Sequence, residues 1–267
     1  MKVYVVGLKT SIARRESINR QFKKFNFTNY VHVDAVYGKD LSDDYVKSIY
    51  DDVTANRVFR SLSRGEIGCA LTHNMIYQQI IDDPSNERCL IIEDDVIIDD
   101  RFADVMDIKY DDQSIDILFF GCHTSNNNAD EQQVNKNHPY ELLSLKEVHR
   151  DVVTRCYFKH ESIEAFGIQF NKIDSKSYRI DYLHGTHAYS PSKVACKRLL
   201  EANMPVRVPP DMPWCLADYN VYGLLDDIMK INHDFASDMT PERKEIEKLV
   251  TYSKYFDNRI NLYEFGR

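Results

Sequence analysis

The sequence predicts an α/β domain, and three observations carry that prediction. Short apolar runs rich in β-branched residues alternate with helix-spaced amphipathic stretches through roughly the first 120 residues. A Ser-x-x-Glu capping box opens the longest of those stretches. The chain has 267 residues, 43% hydrophobic and 28% charged, which is ordinary globular composition and enough length to bury a sizeable core.

Taken in order, Lys2 to Leu8 (KVYVVGL) reads as a buried first strand, and Thr10 to Phe25 as a helix with Ile12, Ile18, Phe22 and Phe25 apolar among charges. Residues 30–36 (YVHVDAV) form a second strand ending in Asp34. Ser63 caps a helix from Arg64 to about Ile81, Glu66 being the reciprocal capping residue. Residues 89–92 (CLII) and 115–121 (IDILFFG) are further strands. Strand and helix alternating in this way imply parallel neighbours in a layered sheet. Residues 123–139 are polar and Asn-rich and read as a loop. The stretch 140–180 mixes strands and loops. Residues 185–203 give a short strand and then a helix, with Ser190 at the N-cap and Pro191 at N1. Val206 to Val208 reads as a brief strand, and Thr240 with Pro241 opens a last helix.

Composition narrows the function. A net charge of −8 is opposite to the basic footprint of a nucleic-acid binder, so no nucleic-acid partner is expected. Six cysteines are scattered without a CxxC pair or zinc spacing, which reads as reduced thiols. The N-terminal apolar run is too short for a signal peptide, and no stretch approaches a membrane span of about 20 apolar residues. A cytoplasmic location is the expectation. The aromatic and cationic C-terminus (TYSKYFDNRINLYEFGR) either packs as a final layer or touches a membrane surface.

The chemistry concentrates at CLIIEDDVIIDD, residues 89–100. Asp-Asp pairs occur seven times in the chain, so a pair alone says little. The pair at 94 differs because a strand delivers it, with Glu93, to a C-terminal sheet edge, where open α/β sheets bind ligands. In extended backbone Glu93 and Asp95 would share one side and Asp94 the other. Two hard carboxylates on one side suit Mg²⁺ or Mn²⁺ with substrate phosphates. The alternative is a solvated acidic turn.

Other positions have two readings each. Arg14 and Arg15 face phosphates or are solvated. Asp34 holds a ribose or base, or caps a helix. His73 is a ligand or a satisfied structural histidine. Asp211 in VPPDMPW is a general base on a stiff segment or a helix N-cap. His233 and Asp238 form a late pair or an ordinary loop.

Six segments in order resemble glycosyltransferase family 25, the enzymes of bacterial lipooligosaccharide synthesis related to procollagen galactosyltransferases. They are SIARRESI, VDAV, RGEIGCALTHNMIY, LIIEDDV, GTHAYSPSKVACKRLL and PPD, running from the first strand toward Asp238. The resemblance implies a GT-A type fold: a Rossmann-like mixed sheet flanked by helices. Residues 1–122 would form the nucleotide-sugar half, and residues 123–267 a less regular acceptor half with a C-terminal helical segment. It implies an inverting hexose transfer with Mn²⁺ (or Mg²⁺), from a UDP-sugar, typically UDP-galactose, to a lipooligosaccharide or oligosaccharide acceptor. Peripheral contact with the cytoplasmic face of the inner membrane goes with such an acceptor. Leu8, Arg14, Arg15, Asp34, Glu66, His73 and Asp94 would bind the donor. Glu93, Asp95 and His233 would hold the metal, with Asp238 as substitute for His233. Asp211 would be the base. The alternatives are UDP-glucose or another UDP-sugar as donor, a metal-dependent nucleotidyltransferase or phosphohydrolase, or a non-catalytic binding domain.

Overall fold

The computed structural model describes residues 1–58, 60–85, 87–106, 115–121, 142–144, 154–157, 171–172, 178–182, 185–213, 219, 221–224 and 228–235. Strand β1 (Lys2–Gly7) leads through helix α1 (Ile12–Lys24) to the parallel strand β2 (Tyr30–Asp34). Short helices α2 (Asp43–Ile49) and α3 (Asp52–Val58) precede the long α4 (Arg64–Asp82). Strand β3 (Cys89–Glu93) returns parallel to β1 on its other side. Then come β4 (Val96–Ile98), α5 (Phe102–Met106) and β5 (Ile117–Phe119). The later strands are β6 (Leu142–Ser144), β7 (Thr154–Tyr157), β8 (Asn171–Lys172), β9 (Tyr178–Tyr182) and β10 (Ala188–Pro191). Helix α6 (Lys193–Ala202), β11 (Val221–Leu224) and β12 (Met229–Ile231) complete the described elements.

Among the described residues the main sheet has seven strands in the order β2-β1-β3-β10-β5-β11-β6. Strand β10 runs antiparallel to both β3 and β5, so the sheet is mixed. Alternate residues serve opposite faces. Val3 and Val5 join Ile18 and Phe22 of α1 and Phe102 of α5 in one layer. Tyr4 and Val6 join Ile76, Tyr77 and Ile80 of α4 and Leu199 of α6 in the other. Each such aliphatic or aromatic side chain stabilises the fold by roughly 1.5–3 kcal/mol on burial. The N-terminus of α4 is closed by the predicted capping box: Ser63 Oγ accepts from Glu66 N (3.1 Å), and Glu66 Oε2 accepts from Ser63 N (2.9 Å). Gly68 brings α4 against the segment after β2, since a Cβ there would stand 2.5 Å from Val36 O. Helix α1 ends with Asn26 at φ 51° and Phe27 N donating to Phe22 O, a left-handed stop that turns the chain into β2.

Two local expectations, the helix cap at Ser190 and the strand at Val206 to Val208, are corrected. Ser190 and Pro191 remain in β10, paired with Leu118 and Ile117. The cap of α6 is Ser192, whose Oγ accepts from Ala195 N. Sheet pairing to β5 holds the chain extended for two more residues than the Ser-Pro signal suggested. Val206 makes one parallel bridge to Tyr50 and no strand. Strands from both sides of residue 122 interleave in one sheet, with β10 at its centre. The loop 123–139, the Thr240–Pro241 helix start and Asp238 lie outside the described residues.

Candidate active site

Because β1, β2 and β3 are parallel and in register, Gly7 lies opposite Asp34, and Val6 opposite Glu93. Three loops therefore leave the sheet at one edge. A cleft of about 640 Å³ opens there, bounded by Leu8, Lys9 and Ser11 after β1, Tyr37 to Asp40 after β2, and Glu93 to Asp95 after β3. Gly65 and Cys69, one turn apart on α4, form its floor. That volume lies within the range of small-molecule sites.

The extended reading of the acidic triplet is wrong. Strand β3 stops at Glu93, and Asp94 and Asp95 form a turn into β4. Like charges on neighbouring residues repel, and the turn lets both aspartates approach one guanidinium. Asp94, only 3% exposed, accepts from Arg14 Nη1 at 3.1 Å, and Asp95 Oδ2 is 3.5 Å from the same nitrogen. Phe235 covers that guanidinium, 5.6 Å from ring centroid to Cζ. Glu93 accepts from the Thr186 hydroxyl, and its backbone N–H donates to His187 O (3.0 Å). Burial raises the Glu93 pKa to about 7, reinforced by the charges of Asp95, Asp211 and Asp94 against the opposing Thr186 bond. Burial likewise raises Asp94 to about 6, opposed by Arg14.

The other predicted residues separate into groups. Leu8 and Arg14 line the cleft. Arg15 does not: it donates to Gly7 O and Leu8 O and pairs with Asp34, tying the ends of β1 and β2 together. Glu66 is fully buried and takes both guanidinium nitrogens of Arg60 besides its capping bond, so its carboxylate is committed within α4's N-terminus. His73 is 1% exposed, behind Cys69 on the same stripe of α4, and burial lowers its pKa to about 4. Asp211 follows buried Pro209 and Pro210, and its charge reaches both His73 and Glu93. His233 is exposed on the turn after β12, beside the acidic turn: Asn232 N donates to Asp95 O at 2.6 Å.

Sequence reading missed Thr186, Lys9 and Lys39. The signal for Thr186 was its place before β10, whose antiparallel course brings its first residues to the edge where β3 ends. Gly185, at φ 94°, makes the bend that places it.

Glu93 and Asp95 are hard oxygen donors, and the neighbouring carboxylates that add to the effect of burial on Glu93 gather negative charge that a cation would relieve. No group of three His, Cys, Asp or Glu residues able to hold a metal ion forms among the described residues. Mg²⁺-type sites often take one or two carboxylates and complete their shell with phosphate and water. The residues fit a divalent cation in donor type and charge. Among the described residues no helix is long and apolar enough to cross a membrane.

Residues 1–214 match the family described as glycosyltransferase family 25 (LPS biosynthesis protein). A putative glycosyltransferase, R655, of Acanthamoeba polyphaga mimivirus is 31% identical over 39% of this chain and 31% of its own length. Human procollagen galactosyltransferase 2 is 32% identical over 38% of this chain and 16% of its own. A putative glycosyltransferase of Haemophilus influenzae is 30% identical over 43% of this chain and 39% of its own. The chain thus spans well under half the length of these relatives. With the acidic turn, the capped α4 and the β10 strand all inside the matched residues, the chain belongs to glycosyltransferase family 25.

Proposed function

We propose that the protein transfers a hexose, galactose from UDP-galactose, to a glycan acceptor of the lipooligosaccharide class, with inversion to a β-linkage. The observation that carries this reading is the single cleft edge where cationic Arg14, Lys9 and Lys39 meet the carboxylates of Glu93, Asp94 and Asp95. A nucleoside diphosphate needs positive charge along its phosphates, and a sugar needs carboxylates for its hydroxyls. That the human relative is named a procollagen galactosyltransferase supports the choice of sugar.

In this reading Glu93 and Asp95 hold a divalent cation, Mn²⁺ or Mg²⁺, with the turn carrying His233 alongside. A cation held there would supply positive charge opposite the charge that develops on the leaving diphosphate. Arg14, which lines the cleft, fixes the acidic turn through Asp94 and Asp95 and brings positive charge to the phosphate side. Thr186 orients Glu93. Asp211, electrostatically coupled to the same cluster, accepts the proton of the attacking acceptor hydroxyl.

The test is nucleotide release from a panel of UDP-sugars, with Mn²⁺ and with EDTA, using lipooligosaccharide core and simple sugars as acceptors. EDTA-sensitive UDP release with UDP-galactose, and a β-linked product by NMR, supports the proposal. Release of UMP would instead assign cleavage between the phosphates, and a preference for UDP-glucose would overturn the sugar.

A further inference from the structure

We propose that Tyr37 is the platform for the nucleobase of the donor, its ring lying against the flat face of the base while the phosphates reach the acidic turn. The inference rests on the reading of the donor as a nucleoside diphosphate sugar, and it names the residue that fixes the far end of that donor.

The cleft has two unlike ends. Strand β1 lies between β2 and β3, so the loops after β2 and β3 face each other across two strand spacings, about 10 Å. At the β3 end stand Arg14 and the carboxylates of Glu93, Asp94 and Asp95. At the β2 end stand Ala35, Val36 and Tyr37, followed by Lys39. A nucleoside diphosphate has the same polarity: charged phosphates at one end and a flat ring with two apolar faces at the other. The hexose carries hydroxyls around its ring and belongs with the carboxylates. The base is left for the aromatic end.

The backbone around Tyr37 is fastened on both sides. Ala35 N donates to Gly7 O (2.9 Å), and Val36 N donates to the Thr72 hydroxyl of α4 (2.9 Å). Gly38 lies so close to α4 that a Cβ there would overlap Arg64 O. Asp40 N donates to Tyr37 O (3.0 Å), which closes the turn. Yet the Tyr37 side chain is 45% exposed. Among the described residues its hydroxyl joins no hydrogen bond and its ring meets no other aromatic ring. A lone apolar side chain on open surface needs no explanation, but this one borders a concave cleft. An aromatic ring on a fixed backbone, held at the edge of a cleft and committed to no neighbour, is suited to stacking on a base.

The experiment measures binding of UDP and of inorganic pyrophosphate, with Mg²⁺, by calorimetry on the full chain and on Tyr37→Ala and Tyr37→Phe. Tyr37→Ala should weaken UDP at least about tenfold. Pyrophosphate, which has the phosphates and no base, should stay within about twofold. Tyr37→Phe keeps the ring and should hold the UDP Kd within about twofold. The uracil H5 and H6 resonances of UDP should move upfield on binding to wild type and lose that shift with Tyr37→Ala. In transfer assays Tyr37→Ala should raise the donor KM with kcat unchanged, because a contact remote from the breaking bond is equal in ground and transition states. Should pyrophosphate bind too weakly to measure, the upfield shift decides alone. An unchanged UDP Kd in Tyr37→Ala, or equal losses of UDP and pyrophosphate, would overturn the proposal. A loss confined to UDP-galactose, with UDP unaffected, would overturn it by placing the hexose on Tyr37. Failure of the wild type to bind UDP would overturn the donor reading itself, an outcome distinct from a wild type and a Tyr37→Ala variant that bind UDP equally.

Discussion

Asp94 occupies the space that a side chain on Gly7 would need. A Cβ placed at Gly7 would overlap the Asp94 carboxylate and lie 2.8 Å from Asp94 Cβ. The last residue of β1 is therefore bare so that the turn after β3 can fold against it and reach Arg14. Gly7→Ala should push Asp94 out of this seat. UDP affinity is expected to fall at least about tenfold, or roughly 1.4 kcal/mol, by calorimetry. An unchanged UDP Kd would mean that the acidic turn plays no part in donor binding.

Asp95→Ala should abolish cation-dependent transfer while leaving the circular dichroism spectrum unchanged, because Asp95 is partly exposed and outside the core. Transfer that survives in this variant, still sensitive to EDTA, would remove Asp95 from the cation site.

Cation affinity should climb with pH. The Glu93 carboxyl, raised first by burial and then by its acidic neighbours, keeps its proton to higher pH than an ordinary carboxyl, and a ligand must be ionised. Mn²⁺ binding at pH 6.5 should release protons, so its heat should vary with the ionisation enthalpy of the buffer. Thr186→Val removes the bond that favours the charged form and should shift this dependence to higher pH. Heats identical across buffers would contradict the assignment of Glu93.

Glu66 and Arg60 form a buried pair, 0% and 12% exposed at their side chains. Removing one partner of such a pair costs about 3–5 kcal/mol. Glu66→Ala should lower the urea midpoint accordingly, yet leave UDP affinity within about twofold at temperatures where the variant is folded. A selective loss of UDP binding without loss of stability would return Glu66 to the donor site.

Acid should weaken the fold through His73. Its folded pKa, about 4, lies below the unfolded value of about 6.5. Between these values the unfolded chain binds more protons, so stability is full above pH 6.5 and is lost as pH falls toward 4. The total is about 3 kcal/mol at 1.36 kcal/mol per unit, an order-of-magnitude figure. Urea midpoints at pH 4.5 and 7 should differ more in wild type than in His73→Gln.

The parts of this protein set by local chemistry were legible in its sequence. Strands β1, β2, β3 and β5 announce themselves by short β-branched runs, and α4 by a capping box that depends on residues three apart. The motifs from SIARRESI to PPD named the family for the same reason, since each is a contiguous string. What only the tertiary structure decided depends on residues far apart in the chain. Insertion of β10 between β3 and β5 put Thr186 on Glu93, and no local pattern encodes a neighbour 93 residues away. Pairing of β4 with β12, rather than continuation of β3, bent the acidic triplet into a turn and set His233 beside it. The chain from Tyr77 through Tyr189 to His73 spans 116 residues of sequence. These three side chains meet only once the core has closed.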